Sequence, residues 1–155
     1  MATQAASAAP AANGGRVDPY PNFNFRIEVD GVTMGHFAEC SGPCMKINVL
    51  SYREGGNNQV MHRIAGAIDH ANVTLRCGLT RSTELWNWVQ AIAAGKTDRR
   101  QVHIVVLEPD GHTEALRWTL EDSWPTEYTS APMNAGGNEL AIETITLVFE
   151  SLSRS

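Results

Sequence analysis

Apolar and polar residues alternate along much of the chain, and a period of two is typical of half-buried β-strands. Between Phe23 and Val29 every second residue is apolar, and Asp30-Gly31 then supplies a turn. Residues 32–39 are predicted to form the second strand of this hairpin. The same pattern predicts strands over residues 45–54, 60–64, 72–77, 101–107, 113–121 and 139–150. The last is apolar on both faces, so we expect it to be central in its sheet.

One segment has the period of a helix instead. Its apolar residues recur at i, i+3, i+4 and i+7 and form one stripe: Leu85, Trp88, Val89 and Ile92. We therefore predict a helix over residues 81–94 that packs on the sheet, capped by Thr80 or Ser82 and ended by Gly95. Together these elements predict a mainly β fold: an antiparallel β-barrel or sandwich of about eight strands with one flanking α-helix.

A glycine- and asparagine-rich segment interrupts the strand pattern at residues 55–58. Glycine and asparagine tolerate positive φ and bury little apolar surface, so the segment is predicted to be an exposed loop tip. Only Lys46 and Lys96 are lysines, although soluble β-proteins commonly protect their edge strands with lysine. This scarcity favours sheet edges that another subunit covers.

The composition is that of a single globular domain, with 155 residues, 43% of them hydrophobic and 19% charged. Residues 1–16 are Ala/Gly-rich and are predicted to be a disordered tail, followed by one domain over residues 17–152. No apolar run approaches the roughly 18 residues of a membrane span, so no stable membrane insertion is expected. Seventeen acidic and twelve scattered basic residues give a net charge of −5, which disfavours tight nucleic-acid binding.

Candidate chemistry is sparse. Cys40 and Cys44, with His36 upstream, offer zinc-type ligands, but no second paired motif accompanies them. No nucleophile elbow, His-Glu-x-x-His motif or phosphate-binding loop is present, so we expect neither an enzyme nor a cofactor. Three cysteines without an export signal favour a reducing compartment, and we expect the protein to be made in the bacterial cytoplasm.

Several colinear runs resemble a known family. They are Asp18-Pro-Tyr-Pro-Asn-Phe-Asn-Phe-Arg-Ile-Glu-Val-Asp-Gly31, Phe37-Ala-Glu-Cys-Ser-Gly42, Tyr52-Arg-Glu-Gly-Gly-Asn-Asn58, Leu85-Trp-Asn-Trp-Val89 and Asn138-Glu-Leu-Ala-Ile-Glu-Thr144. The chain resembles the T4-type phage tail tube proteins over about residues 18–150. Within that family it is most similar to the inner-tube subunits of phage-tail-like contractile injection systems.

The resemblance implies a fold similar to that of the hemolysin-coregulated protein of type VI secretion, assembled as six-membered rings stacked into a hollow tube. It also implies further partners: a contractile sheath protein, baseplate and tube-terminator proteins, and a lumen cargo that is either effector protein or phage DNA. In the family an extended loop reaches neighbouring subunits. Here this loop corresponds to Tyr52, Arg53, Glu54, Gly55, Gly56, Asn57, Asn58 and Gln59.

Two alternatives remain open at this point. The first is a tube-initiating baseplate ring protein of the same fold. The second, from a different class, is a small metal-binding or enzymatic module that uses Cys40, Cys44 and His36. If the chain is a tube subunit, it belongs to a phage tail or a phage-tail-like particle. Whether that particle is released from the cell or attached to a membrane also remains open.

Overall fold

The computed structural model of the chain describes residues 20, 24–34, 37–56, 59–78, 83–137 and 140–155. Within these ranges the chain forms ten strands and one helix. The elements are β1 (Phe25–Val29), β2 (Val32–Met34), β3 (Phe37–Cys40), β4 (Cys44–Arg53), β5 (Met61–Ala71), β6 (Val73–Gly78), α1 (Glu84–Ala93), β7 (Arg100–Leu107), β8 (Glu114–Thr129), β9 (Ile142–Val148) and β10 (Ser151–Arg154).

The long strand β8 joins two antiparallel sheets. Its first part pairs with β7 on one side and β10 on the other, and the sheet continues through β1 to β2. Its last part, from Trp124, pairs with β9, and that sheet continues through β6 to β3. Asp122, just before the change of partner, has a φ of 53°, a conformation that bends the strand. The predicted mainly β, antiparallel sandwich is confirmed, and β9 is central, as expected.

The core lies between the inner faces of these two sheets. It is contributed by alternate residues of five strands, by one helix residue and by Phe149, which directly follows β9: Ile27, Val29, Val73, Leu75, Trp88, Val102, Ile104, Leu120, Ile145, Leu147 and Phe149. Successive strand residues point to opposite faces of the sheet, and this explains the period of two in the sequence.

The helix is shorter at its start than predicted. Thr83 occupies the N-cap position without a side-chain capping hydrogen bond, and the first helical bond runs from the Asn87 amide to the Thr83 carbonyl. Thr80 and Ser82, the expected caps, lie outside the described residues. The predicted end is confirmed, because Gly95 has the positive φ of 85° that glycine tolerates best. Trp88 is buried, and its indole Nε1 donates to the Asp98 carbonyl at 2.8 Å.

The prediction of one strand over residues 32–39 was wrong. β2 pairs with β1 only as far as Met34, whereas β3 joins the other sheet, where Cys40 lies opposite Leu75 of β6. A hairpin signal fixes only the first residue pairs after its turn, and the sheet that a later segment joins depends on core packing. β10 was also not predicted. In the described part of the chain, no helix has the length and apolar character needed to span a bilayer.

Candidate assembly interface

Strands β4 and β5 form a separate hairpin that projects from the sandwich. They pair with each other along their length, and within the described residues neither pairs with a third strand. All ten residues of β4 are exposed. Both outer edges of the hairpin therefore present backbone N–H and C=O groups that another chain could pair with.

Exposed apolar residues concentrate on this hairpin. Of the thirteen large apolar residues that are exposed in the described chain, nine lie between positions 44 and 71: Met45, Ile47, Val49, Leu50, Tyr52, Val60, Met61, Ile64 and Ile68. Ile68 and Val49 are about 60% exposed, at 59% and 60%. A contiguous exposed apolar surface on a folded domain usually marks an interaction site.

A β-bulge divides the hairpin near its middle. Ile47 pairs with Ile68 and Val49 pairs with Ala65, so Asn48 stands opposite two residues of β5, Gly66 and Ala67. The extra residue is accommodated because Gly66 has no side chain. A β-carbon there would approach the Asn48 carbonyl oxygen to 3.0 Å and Leu50 Cγ to 3.1 Å.

The described residues of the predicted contact segment, 52–56 and 59, lie at the tip of this hairpin. Tyr52 and Arg53 end β4, and Glu54, Gly55 and Gly56 follow in an exposed turn, in which Gly56 has a φ of 107°. Gln59 is exposed as well, whereas Asn57 and Asn58 lie outside the described residues. The predicted exposure of residues 55 and 56 is confirmed.

A stacking contact between two aromatic rings stabilises the tip. The Tyr52 ring stacks on the His62 ring across the strands, with centroids 5.2 Å apart and an interplanar angle of 25°. His62 Nε2 also lies 3.9 Å from a carboxylate oxygen of Glu54. These contacts align the ends of β4 and β5 up to the turn.

At the opposite end, the hairpin is attached to the core. His70 packs its ring on Phe149, a buried core residue, with centroids 5.0 Å apart. His70 also lies directly across from Met45, the second residue of β4. The apolar surface of the hairpin base is therefore continuous with the core of the sandwich.

A polar cluster that the sequence analysis did not predict joins Cys77, Tyr128 and Glu143. Glu143 accepts hydrogen bonds from the Cys77 thiol at 3.3 Å and from the Tyr128 hydroxyl at 2.6 Å. Burial, and then the hydrogen bond to Glu143, raises the pKa of Cys77 to about 12. The hydrogen bond to Glu143, and then burial, raises the pKa of Tyr128 to about 12. Both groups therefore stay protonated at neutral pH. This suits a structural role for Cys77, because a nucleophilic cysteine must be a thiolate.

The proposed metal module finds little support in the described part of the chain. Cys40 and Cys44 are free, and burial raises the pKa of Cys40 to about 11, which disfavours the thiolate that zinc requires. Across the described ranges, no three His, Cys, Asp or Glu side chains are grouped as a metal would need. His36 lies outside these ranges.

Comparisons with solved structures agree with this architecture. A protein of the sheath-tube complex of an extracellular contractile injection system, PVC, is 25% identical with a TM-score of 0.79, covering 88% of this chain and 91% of that chain. A protein of the PVC sheath/tube terminator is 25% identical with a TM-score of 0.81, covering 91% and 99%. Hcp1 from Flavobacterium johnsoniae has a TM-score of 0.57 at 12% identity, covering 85% and 94%, which shows the expected Hcp-like fold.

The family assignment rests on the sequence itself. No curated protein sequence matches the chain significantly. Residues 21–153, however, match the family described as T4-like virus tail tube protein gp19, which accounts for nearly the whole folded domain. The chain therefore belongs to the T4-like tail tube protein family.

Proposed function

We propose that this chain is the structural subunit of the inner tube of a phage-tail-like contractile injection system or a phage tail, and that it forms six-membered rings that stack into a hollow tube. The observation that carries the proposal is the β4–β5 hairpin, whose two open edges and exposed apolar residues require a partner. The family assignment and the similarity to a sheath-tube complex component support a second copy of this chain as that partner.

In this proposal, residues 52–59 at the hairpin tip contact neighbouring subunits. The remaining partners are a contractile sheath protein, baseplate proteins and a tube terminator, and the lumen passes effector protein or phage DNA. The chain itself is non-catalytic, consistent with a family of tube proteins. It assembles in the bacterial cytoplasm and acts as part of the particle. The tube domain spans residues 17–152.

An alternative is a ring protein that starts or ends the tube, supported by the similarity to the terminator component. Electron microscopy of the purified full chain, alone and with a baseplate protein as nucleator, separates these functions. A tube subunit forms rings that elongate into tubes, whereas an initiating or terminating protein forms single rings. A protein that remains monomeric under all these conditions contradicts both.

A further inference from the structure

Three methionines of the described chain are open to solvent in the free subunit. Met45 is 44% exposed, Met61 48% and Met133 73%. Methionine is an apolar residue that folded domains commonly bury, and the thioether of an exposed methionine is open to oxidants. These side chains are therefore candidate sites of a covalent modification, the conversion of the thioether to a sulfoxide.

Two of these methionines lie on the same side of the β4–β5 ribbon. Met45, the second residue of β4, is opposite His70, and Met61, the first residue of β5, is opposite Arg53. The extra residue of the bulge belongs to β5, so β4 alternates without interruption and its residues 45 and 53 point to one side. Met45 is thus at the base of the hairpin and Met61 at its tip.

The surroundings of Met45 are apolar. Ile47 follows it on the same side of β4, and Ile68 lies directly opposite Ile47, so the thioether adjoins two exposed isoleucines. His70, across the ladder, packs its ring on the core residue Phe149. A sulfoxide at position 45 therefore introduces a strong hydrogen-bond acceptor into an apolar surface, and covering that surface would bury the acceptor.

The surroundings of Met61 are cationic. Arg53 lies directly opposite Met61, and Arg63 is two residues along β5 on the same side of the ribbon. A guanidinium group carries only N–H donors. A sulfoxide oxygen at position 61 consequently has hydrogen-bond donors beside it, so oxidation is better tolerated at the tip than at the base.

The modification is a two-electron oxidation of sulfur. With hydrogen peroxide as oxidant, a sulfur lone pair attacks one peroxide oxygen, the O–O bond breaks and a sulfur–oxygen bond forms. The second oxygen leaves as hydroxide and takes a proton to become water. The sulfur is oxidised and the peroxide is reduced, and methionine sulfoxide reductases reverse the change.

We propose that Met45 is an oxidant-sensitive site that controls whether the free subunit can assemble. Peroxide converts Met45 to its sulfoxide, which makes the apolar surface at the hairpin base polar and prevents a second copy from covering it. This inference rests on the proposed function, because the modification acts on a surface that assembly buries. Once Met45 is covered in a tube, it is shielded from the oxidant, so the control acts before assembly.

Peroxide treatment of the purified, full-length monomer tests this site. The oxidant is removed with catalase, peptide mass spectrometry measures the sulfoxide at each methionine, and sedimentation velocity and electron microscopy measure assembly. Met45→Leu removes the site at nearly constant volume, and Met61→Leu is the matched control. Near-ultraviolet circular dichroism, to which the buried Trp88 contributes, checks that the oxidised chains remain folded.

Oxidised wild type and oxidised Met61→Leu are expected to lose assembled protein about tenfold, since burying an unpaired acceptor opposes association. Methionine sulfoxide reductase should restore it, and treated Met45→Leu should assemble like the untreated variant. An equal loss in treated Met45→Leu, or normal tubes from chains that carry the Met45 sulfoxide, overturns the proposal. So does oxidation of Met45 in preformed tubes at the monomer rate. If the untreated wild type forms neither rings nor tubes, the proposed function fails first.

Discussion

Leu50 lies over Gly66 in the β4–β5 hairpin, so close that a β-carbon on Gly66 would come 3.1 Å from Leu50 Cγ. The same β-carbon would come 3.0 Å from the backbone carbonyl oxygen of Asn48, which moves only if the strand moves. The absence of a side chain at position 66 therefore lets the bulge close, and the bulge shifts the alternation of β5 by one residue, so that Ile64 and Ile68 lie on opposite sides of the ribbon.

Gly66→Ala is accordingly expected to impair assembly without unfolding the domain. The added methyl group displaces Asn48 and disturbs the pairing on both sides of the bulge, while the core of the sandwich does not contain these residues. We expect shorter or fewer tubes in electron micrographs and a free energy of unfolding within about 0.5 kcal/mol of the wild type. Gly42→Ala is the matched control, because a β-carbon at position 42 meets nothing within 4 Å. Normal tubes from Gly66→Ala would refute this role of the bulge.

Replacing both Gly55 and Gly56 by valine is expected to impair stacking and leave the monomer folded. The structure assigns most of the effect to Gly56, whose φ of 107° is strained for any residue with a β-carbon, whereas Gly55 has ordinary φ and open space. Gly56→Val alone should therefore shorten tubes about as much as the double variant, and Gly55→Val should do so less. Tube-length distributions measure this, and an unchanged length in the double variant would show that the tip is no contact.

The hairpin also shows where sequence reasoning succeeds and where it stops. Alternation in residues 45–54 correctly predicted a strand, and residues 55–56 correctly predicted an exposed turn. Alternation cannot distinguish a strand that faces its own core from one that faces another chain, so the exposure of Ile47 and Ile68 was not predicted. The adjacent apolar pair Val49-Leu50, where the alternation changes phase, was the available signal.

Elsewhere the unpredicted features depend on contacts distant in sequence. β8 serves both sheets, and Asp122, just before the change of partner, has a positive φ of 53° that the alternation of the sequence does not predict. The Cys77–Glu143 hydrogen bond joins residues 66 positions apart, and no motif connects them. Element type was readable from local periodicity, whereas sheet membership and side-chain clusters followed from tertiary packing.

Trp88 is expected to dominate the stability of the helix–sheet contact. It is buried, donates to the Asp98 carbonyl, and has the Arg100 guanidinium 5.1 Å from its ring centroid. Trp88→Ala should lower the free energy of unfolding by about 3–5 kcal/mol, as large-to-small changes in cores do. Trp86→Ala, at a position that is 43% exposed, should cost clearly less. Urea denaturation compares the two, and equal losses would contradict the assigned core position.

The Glu143 cluster predicts a loss of stability at alkaline pH. Cys77 and Tyr128 titrate near 9 and 10 in the unfolded chain but near 12 in the folded one. Between about pH 9 and 12 the folded state thus holds protons that the unfolded state has released, so stability falls as pH rises through this window. Tyr128→Phe with Cys77→Ala should flatten this dependence of the urea midpoint on pH. An equal slope in wild type and variant would contradict the cluster.

Hydrogen–deuterium exchange of the hairpin amides, compared between monomer and assembled protein, measures whether β4 and β5 form the assembly contact. The outer-edge amides of β4 and β5 have no strand partner in the described chain, so they should exchange rapidly in the monomer. In tubes, we expect strong protection across residues 44–56 and 59–71, while the core strands remain equally protected in both states. Equally rapid exchange of the hairpin amides in monomer and tube would contradict its role as the assembly contact.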